Sequence, residues 1–141
     1  MLVRLLYASR AVDEKIADTV HSVMQQSRLH NPGNGITGVL CHTDTVFMQV
    51  LEGGRDAVNA LYGHILRDTR HKDVILLDYE EIVERRYACW TMGQANMSRI
   101  NPSILLKYSP LPELNPHKMS GKMLLALIDE LMATASIVGR T

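Results

Sequence analysis

The feature that most constrains this chain is a succession of two apolar periods between residues 2 and 82, one of strands and one of helices. Residues 2–9 (LVRLLYAS) place Val3, Leu5, Tyr7 and Ser9 on one face and Leu2, Arg4, Leu6 and Ala8 on the other, the period of a strand. Ile16, Val20, Val23 and Met24 then recur at helical spacing, with Asp13 placed to cap them. The cluster Asn31-Pro32-Gly33-Asn34-Gly35 predicts that this helix ends before Asn31. GITGVLCH and TVFMQVLE are β-rich runs around the polar pair Thr43-Asp44, a hairpin pattern. After Gly53-Gly54, a second helical stripe of Val58, Leu61, Tyr62, Ile65 and Leu66 runs out near Asp68. DVILLDYE is apolar on both faces and reads as a covered inner strand, and YACWTM reads as a fifth, shorter one.

The resulting order, β-α-β-β-α-β with a strand added, predicts an α+β fold. It is a ferredoxin-like sheet with a fifth strand and both internal helices on one face. Beyond it, Asn101-Pro102 suits the cap and first turn of a short helix reaching Tyr108. A last helix is expected from about Pro116 to Ser136. Met119, Met123, Leu124, Leu127, Ile128, Leu131 and Met132 form its apolar face, opposite Lys118, Lys122, Asp129 and Glu130. Such a stripe must cover something, and the sheet face left bare by the two internal helices is the nearest target. At 141 residues the chain has the size of one ordinary domain. The expected division is a sheet-and-helix domain over residues 1–97 and a helical extension over 98–141, packed on the sheet.

Composition narrows the function. A hydrophobic share of 46% with 21% charged residues suits a globular protein with a real core. Fifteen Lys and Arg balance fifteen Asp and Glu, so the chain lacks the electrostatic footprint of a nucleic-acid or anionic-membrane binder. No apolar run approaches the roughly 18 to 20 residues that span a bilayer, and no signal-peptide layout opens the chain; a cytoplasmic location is expected. Cys41 and Cys89 are too few and too far apart for a disulfide framework or a zinc site, and are expected to be small buried thiols in strands.

Several chemistries can be weighed on particular side chains. RNA recognition on such a sheet needs exposed aromatics on the third strand, where only Phe47 stands. His64, Asp68 and His71 have spacings of four and three, but Asp68 falls where the helix ends, so solvated helix-end residues are the plainer reading than metal ligands. Neither cysteine has a glycine-rich elbow or an evident base beside it. What resists a bland reading is polarity on the face that should be core: period two sends Tyr7 and Ser9 inward with Val3 and Leu5, and Gln49 inward with Phe47 and Leu51. A buried Gln without a partner costs about 1 to 3 kcal/mol. A Tyr7–Gln49 hydrogen bond that merely fills the core is one answer. The other adds Asn31 and the pair Arg70-His71 at the same end of the helix layer, giving an apolar slot with polar edges for a flat ring.

At these residues the chain resembles the BLUF family of blue-light sensors, from about Val3 to Gly93. The pieces are Tyr7-Ala8-Ser9, Asn31 followed by GITGVL, then VFMQVLEG, RDTRH and RRYACWTMG, in that order. The resemblance implies non-covalent FAD between the two helices, with FMN or riboflavin as possible substitutes, since family contacts concentrate on the ring. It implies that Tyr7 is the light-driven electron and proton donor and Gln49 the amide between that tyrosine and the flavin, able to reverse its polarity. Asn31 corresponds to the residue at the ring's pyrimidine edge, and Arg70 and His71 to polar flavin contacts. Where many members place a second Asn, this chain has Pro32. Ser9 is either a supporting polar group or a plain strand-end serine. Phe47 joins the expected pocket; Val23, Leu40 and Ile65 are either its apolar walls or ordinary core. Trp90 and Met92, two apart on the expected fifth strand, share a face and are either the switch element or simple core cover. The resemblance further implies a non-enzymatic photoreceptor read by a separate downstream protein, with self-association into a homo-oligomer expected. The alternatives are a ferredoxin-like flavin-dependent enzyme using Cys41 or Cys89, and a light-independent regulatory ligand-binding domain.

Overall fold

The computed structural model describes residues 1–12 and 16–134. Asp13, the expected cap, and residues 135–136, the expected end of the last helix, lie outside the described residues. The chain forms β1 (Leu2–Ala11), α1 (Ile16–Asn34), β2 (Thr37–His42), β3 (Val46–Gly54), α2 (Arg55–Arg67), β4 (His71–Ile82), β5 (Gly93–Asn96), α3 (Pro102–Tyr108), a 3-10 turn (Pro116–Lys118) and α4 (Gly121–Ala133). The sheet order is β4-β1-β3-β2-β5. All neighbours run antiparallel except β2 and β5, which are parallel. This is the α+β plan that the apolar periods predict. In β1 the alternation divides the core in two. Val3, Leu5 and Tyr7 pack with Val20 and Met24 of α1 and Val58 of α2. Leu6 and Ala8 pack on the opposite face with Leu124, Leu127, Ile128 and Leu131 of α4. The Tyr7↔Gln49 register between β1 and β3 puts those two polar residues side by side on the first of these faces.

Four local expectations are corrected. First, α1 does not stop before Asn31 but runs through Pro32 to Asn34. Pro32 withholds one N–H, while the stop signal is Gly35, at φ 67°. There the Gly35 N–H bonds Pro32 O at 3.3 Å and the Ile36 N–H bonds Asn31 O at 3.0 Å, the paired closure that glycine in the left-handed region allows. Asn31 therefore sits on a helix face rather than in a turn.

Second, β4 is not a covered inner strand. It is an edge, with Ile75, Leu76 and Tyr79 exposed, because the chain returns from α2 to pair along the outer side of β1. Third, the fifth strand is Gly93–Asn96 and not YACWTM. The backbone N–H groups of Arg86 and Tyr87 are taken by the Glu52 carboxylate, at 3.0 and 2.6 Å, and that of Trp90 by Tyr87 O at 3.1 Å, so they cannot build a ladder. Cys89 accordingly lies in a turn and is exposed, whereas Cys41 is buried in β2 as expected.

Fourth, the last helix does not start at Pro116. The 3-10 turn ends first, and Ser120 then caps α4 by accepting from the Met123 N–H at 3.1 Å. Gly121 opens α4 where the sheet comes closest, since a Cβ there would lie 2.5 Å from Leu77 O. α3 follows the expectation, with the Asn101 side chain accepting from Ser103 N–H at 3.0 Å.

Candidate functional site

A cavity of about 490 Å³ lies between α1 and α2 above the middle of the sheet. Tyr7, Val23, Asn31, Leu40, Phe47, Gln49, Ile65, Arg70 and His71 all line it, brought there from six different elements and the turn after α2. At its floor the Tyr7 hydroxyl donates to Gln49 Oε1 at 2.6 Å, and Gln49 Nε2 donates to Met92 Sδ at 3.5 Å. Burial, then the neighbouring Tyr62 and Asp68, push the Tyr7 phenol well above its ordinary value, so Tyr7 is held as a hydrogen-bond donor. Its ring centroid lies 5.8 Å from that of Tyr62 and 6.3 Å from that of His71.

Asn31 is the telling residue of α1. Its side chain is buried in the cavity wall, and its Nδ2 has no protein partner. An orphaned buried donor costs about 1 to 3 kcal/mol, which an acceptor placed in the cavity would recover. Ser9 does not line the cavity; it stands behind it, with Oγ 2.7 Å from His71 Nδ1. His71 Nε2 lies 2.6 Å from Ile65 O, and a carbonyl can only accept. In neutral His71, Nε2 therefore carries the proton and Nδ1 accepts from Ser9. Arg70 reaches the rim, yet its guanidinium is engaged by Asp68, at 2.6 to 3.1 Å, and by Ser22 Oγ at 3.2 Å. It straps the end of α2 to α1. Hydrogen bonding to Arg70 also holds the Asp68 carboxyl below its ordinary range.

Trp90 and Met92 do not share a face. The turns over residues 83–92 replace strand alternation, so Trp90 packs on the α4 side of the sheet, against the Tyr87 ring at 6.4 Å, while Met92 is fully buried on the cavity side. His64 and Asp68 line the cavity with His71, but each is turned to a protein partner: His64 to Arg67 at 3.3 Å, Asp68 to Arg70, His71 to Ser9. Burial pushes the Cys41 thiol up to about 12, which leaves it protonated and unreactive.

Sequence reasoning missed much of the α1 and α2 lining. Thr19, Gln26, Ser27, His30 and Asn34 continue the Val23 and Asn31 stripe at helical spacing, and this polar extension of an apolar face was the available signal. Ala57 and Ala60 of α2 also line the cavity, their small side chains leaving space where larger ones would fill it.

The donor set and apolar walls suit a flat ring with acceptors along one edge. Comparison with known proteins identifies that ring. The family model "Sensors of blue-light using FAD" (BLUF) matches residues 2–93. The chain belongs to the BLUF family. It is 32% identical over 114 residues to the photoactivated adenylate cyclase subunit beta of Euglena gracilis, which covers 80% of this chain but only 13% of that protein. Among solved structures it resembles BlsA in its photo-activated state, with a TM-score of 0.85, 28% identity and coverage of 100% of this chain and 99% of that one. It also resembles BlrB, a BLUF protein in the dark state, with a TM-score of 0.74, 32% identity and coverage of 95% and 96%. This BLUF chain is thus a flavin-binding blue-light sensor, and its residues fit the cofactor: Val23, Leu40 and Ile65 offer apolar walls, Asn31 an unpaired donor and Gln49 a reversible amide. Among the described residues, no helix is long and apolar enough to cross a membrane.

Proposed function

We propose that Tyr7 and Gln49 are the photoactive pair of this blue-light sensor, and that their rearrangement is read by a separate partner protein in the cytoplasm. The observation that carries this reading is the 2.6 Å Tyr7–Gln49 hydrogen bond at the floor of a cavity whose wall holds the unpaired Asn31 amide. Bound FAD supplies blue absorption and an excited state that accepts an electron. Tyr7 would lend that electron together with its hydroxyl proton, which burial keeps in place in the dark, and would take both back, so that the flavin ends oxidised and only the hydrogen bonds around Gln49 have changed. Gln49 takes the Tyr7 hydrogen bond on its oxygen. Once the amide reverses, its NH2 faces the tyrosine oxygen and its carbonyl faces Met92, where the thioether can no longer accept. Met92 in this way senses which state Gln49 is in.

In this reading residues 1–97 receive the signal and residues 98–141, whose α4 covers the other sheet face, report it. Asn31 anchors the pyrimidine edge of the ring, Arg70 closes the rim through Asp68 and Ser22, and Ser9 orients His71. In this reading the chain itself carries out no enzymatic turnover; the raised Cys41 thiol removes one of the two cysteines that the flavin-enzyme alternative would use. Purified with FAD, the protein should be yellow and should show a small reversible red shift in blue light with the flavin left oxidised. A colourless chain that FAD cannot reconstitute overturns the reading, and flavin bleaching by a reductant with substrate turnover replaces it with the enzyme.

A further inference from the structure

A carboxylate that the flavin site does not use is buried on the opposite face of the sheet. Glu52, on β3, is wholly inaccessible to solvent. It accepts from Arg4 Nε at 2.8 Å, forms an ion pair with Arg4 Nη2 at the same distance, and accepts from the backbone N–H groups of Arg86 at 3.0 Å and Tyr87 at 2.6 Å. Arg4 also binds Glu80 Oε1 of β4 at 2.8 Å. Charge-assisted bonds of this kind are about twice as strong as neutral ones, so Glu52 ties β1, β3 and the turns after β4 into one unit.

Those turns cross the rim of the sheet. The Trp90 N–H bonds Tyr87 O at 3.1 Å, and Trp90 O accepts from the Gly38 N–H of β2 at 3.0 Å, which closes residues 87–90 against the sheet. At the far end Met92 meets Gln49 on the cavity side. At the near end Arg86 Nη1 and the Tyr87 hydroxyl reach Asp129 of α4, at 3.0 and 3.2 Å. Burial keeps the Tyr87 phenol protonated, so it remains a donor to that carboxylate.

We propose that Glu52 is a positioning residue that makes residues 86–92 a rigid lever, with Gln49 at one end and Asp129 at the other. The backbone from Arg86 to Met92 is pinned at residues 86, 87 and 90, so a displacement of Met92 is not absorbed within the turns and arrives at Asp129. This route bypasses the stretch of chain through β5 and α3 that leads from Met92 to α4, and it makes α4 the receiving element. The lever deepens the photoreceptor reading and rests on it.

The test is light-minus-dark hydrogen exchange on the FAD-loaded full chain, read together with the absorption spectrum. In the wild type, illumination should change exchange across residues 121–133 by about threefold or more. Asp129→Ala, at a half-exposed position outside the core, should keep the red shift and lose most of that change. Glu52→Gln should keep the red shift, lose the same change, and speed dark-state exchange of the Arg86 and Tyr87 amides, whose acceptor is weakened. A merely structural role would raise exchange equally in dark and light and leave their ratio as in the wild type. A normal red shift with a wild-type light-to-dark ratio in Asp129→Ala overturns the lever alone, whether or not Glu52→Gln folds. Absence of a red shift in the wild type overturns the photoreceptor reading and the lever with it.

Discussion

The two faces of this sheet are built from alternate residues of the same strands, yet they do opposite things. On the α4 side, Leu6, Val39, Met48 and Val50 meet Leu124, Leu127, Ile128 and Leu131, forming a closed apolar core. On the α1 and α2 side, the residues between them include Tyr7, Ser9 and Gln49, and the helices stand apart around a cavity of about 490 Å³. One face can carry a hole and an orphaned polar group because the other is closely packed, its buried charges, Arg4 and Glu52, being paired with each other. Stability comes mainly from the closed face, and chemistry from the open one.

Substitutions that respect or ignore this division should separate cleanly. The largest effect on stability belongs to the closed face: Leu127→Ala, at a fully buried position, should cost about 2 to 5 kcal/mol in denaturant unfolding while leaving the flavin spectrum of the folded protein unchanged. Asn31→Leu should do the reverse. Removing the orphaned donor should leave the flavin-free chain as stable as the wild type or more so, while flavin affinity, followed by fluorescence titration, falls about 5- to 30-fold, equivalent to about 1 to 2 kcal/mol.

The smallest effect concerns the strap at the rim. Asp68 has a folded value held below its ordinary 3.8 by Arg70. Its contribution to stability is therefore fully present above that ordinary value and is lost as pH falls through the lowered one. Asp68→Asn should weaken the protein at neutral pH by less than about 1 kcal/mol and flatten the decline in stability below about pH 4, as read from unfolding curves across that range.

Much of this arrangement is legible in the residues themselves. Period two in β1 and β3 turns Tyr7 and Gln49 to the same face, and the turn formers after β2 and β3 mark off the hairpin and α2, because those choices depend on neighbouring residues in the chain. The segment 83–92 is not legible in that way. YACWTM has strand propensity, but Glu52, more than thirty positions earlier, claims the backbone groups that a strand would use. The face of Trp90 follows from that long-range contact, as does the separation of Trp90 from Met92. The end of α1 shows a milder form of the same limit: Pro32 reads as a stop, whereas the closure depends on Gly35 and on hydrogen bonds back to Asn31 and Pro32.

On the proposed reading, the polar pair on the open face converts light into a changed hydrogen-bond pattern. Its most direct test is the light-minus-dark absorption spectrum of Tyr7→Phe beside that of the wild type, both loaded with FAD to the same occupancy. Phe keeps the ring that packs against Tyr62 but lacks the hydroxyl that Gln49 accepts from. A reversible red shift is expected in the wild type and none in Tyr7→Phe; the same red shift in both proteins would rule out Tyr7 as the photoactive donor.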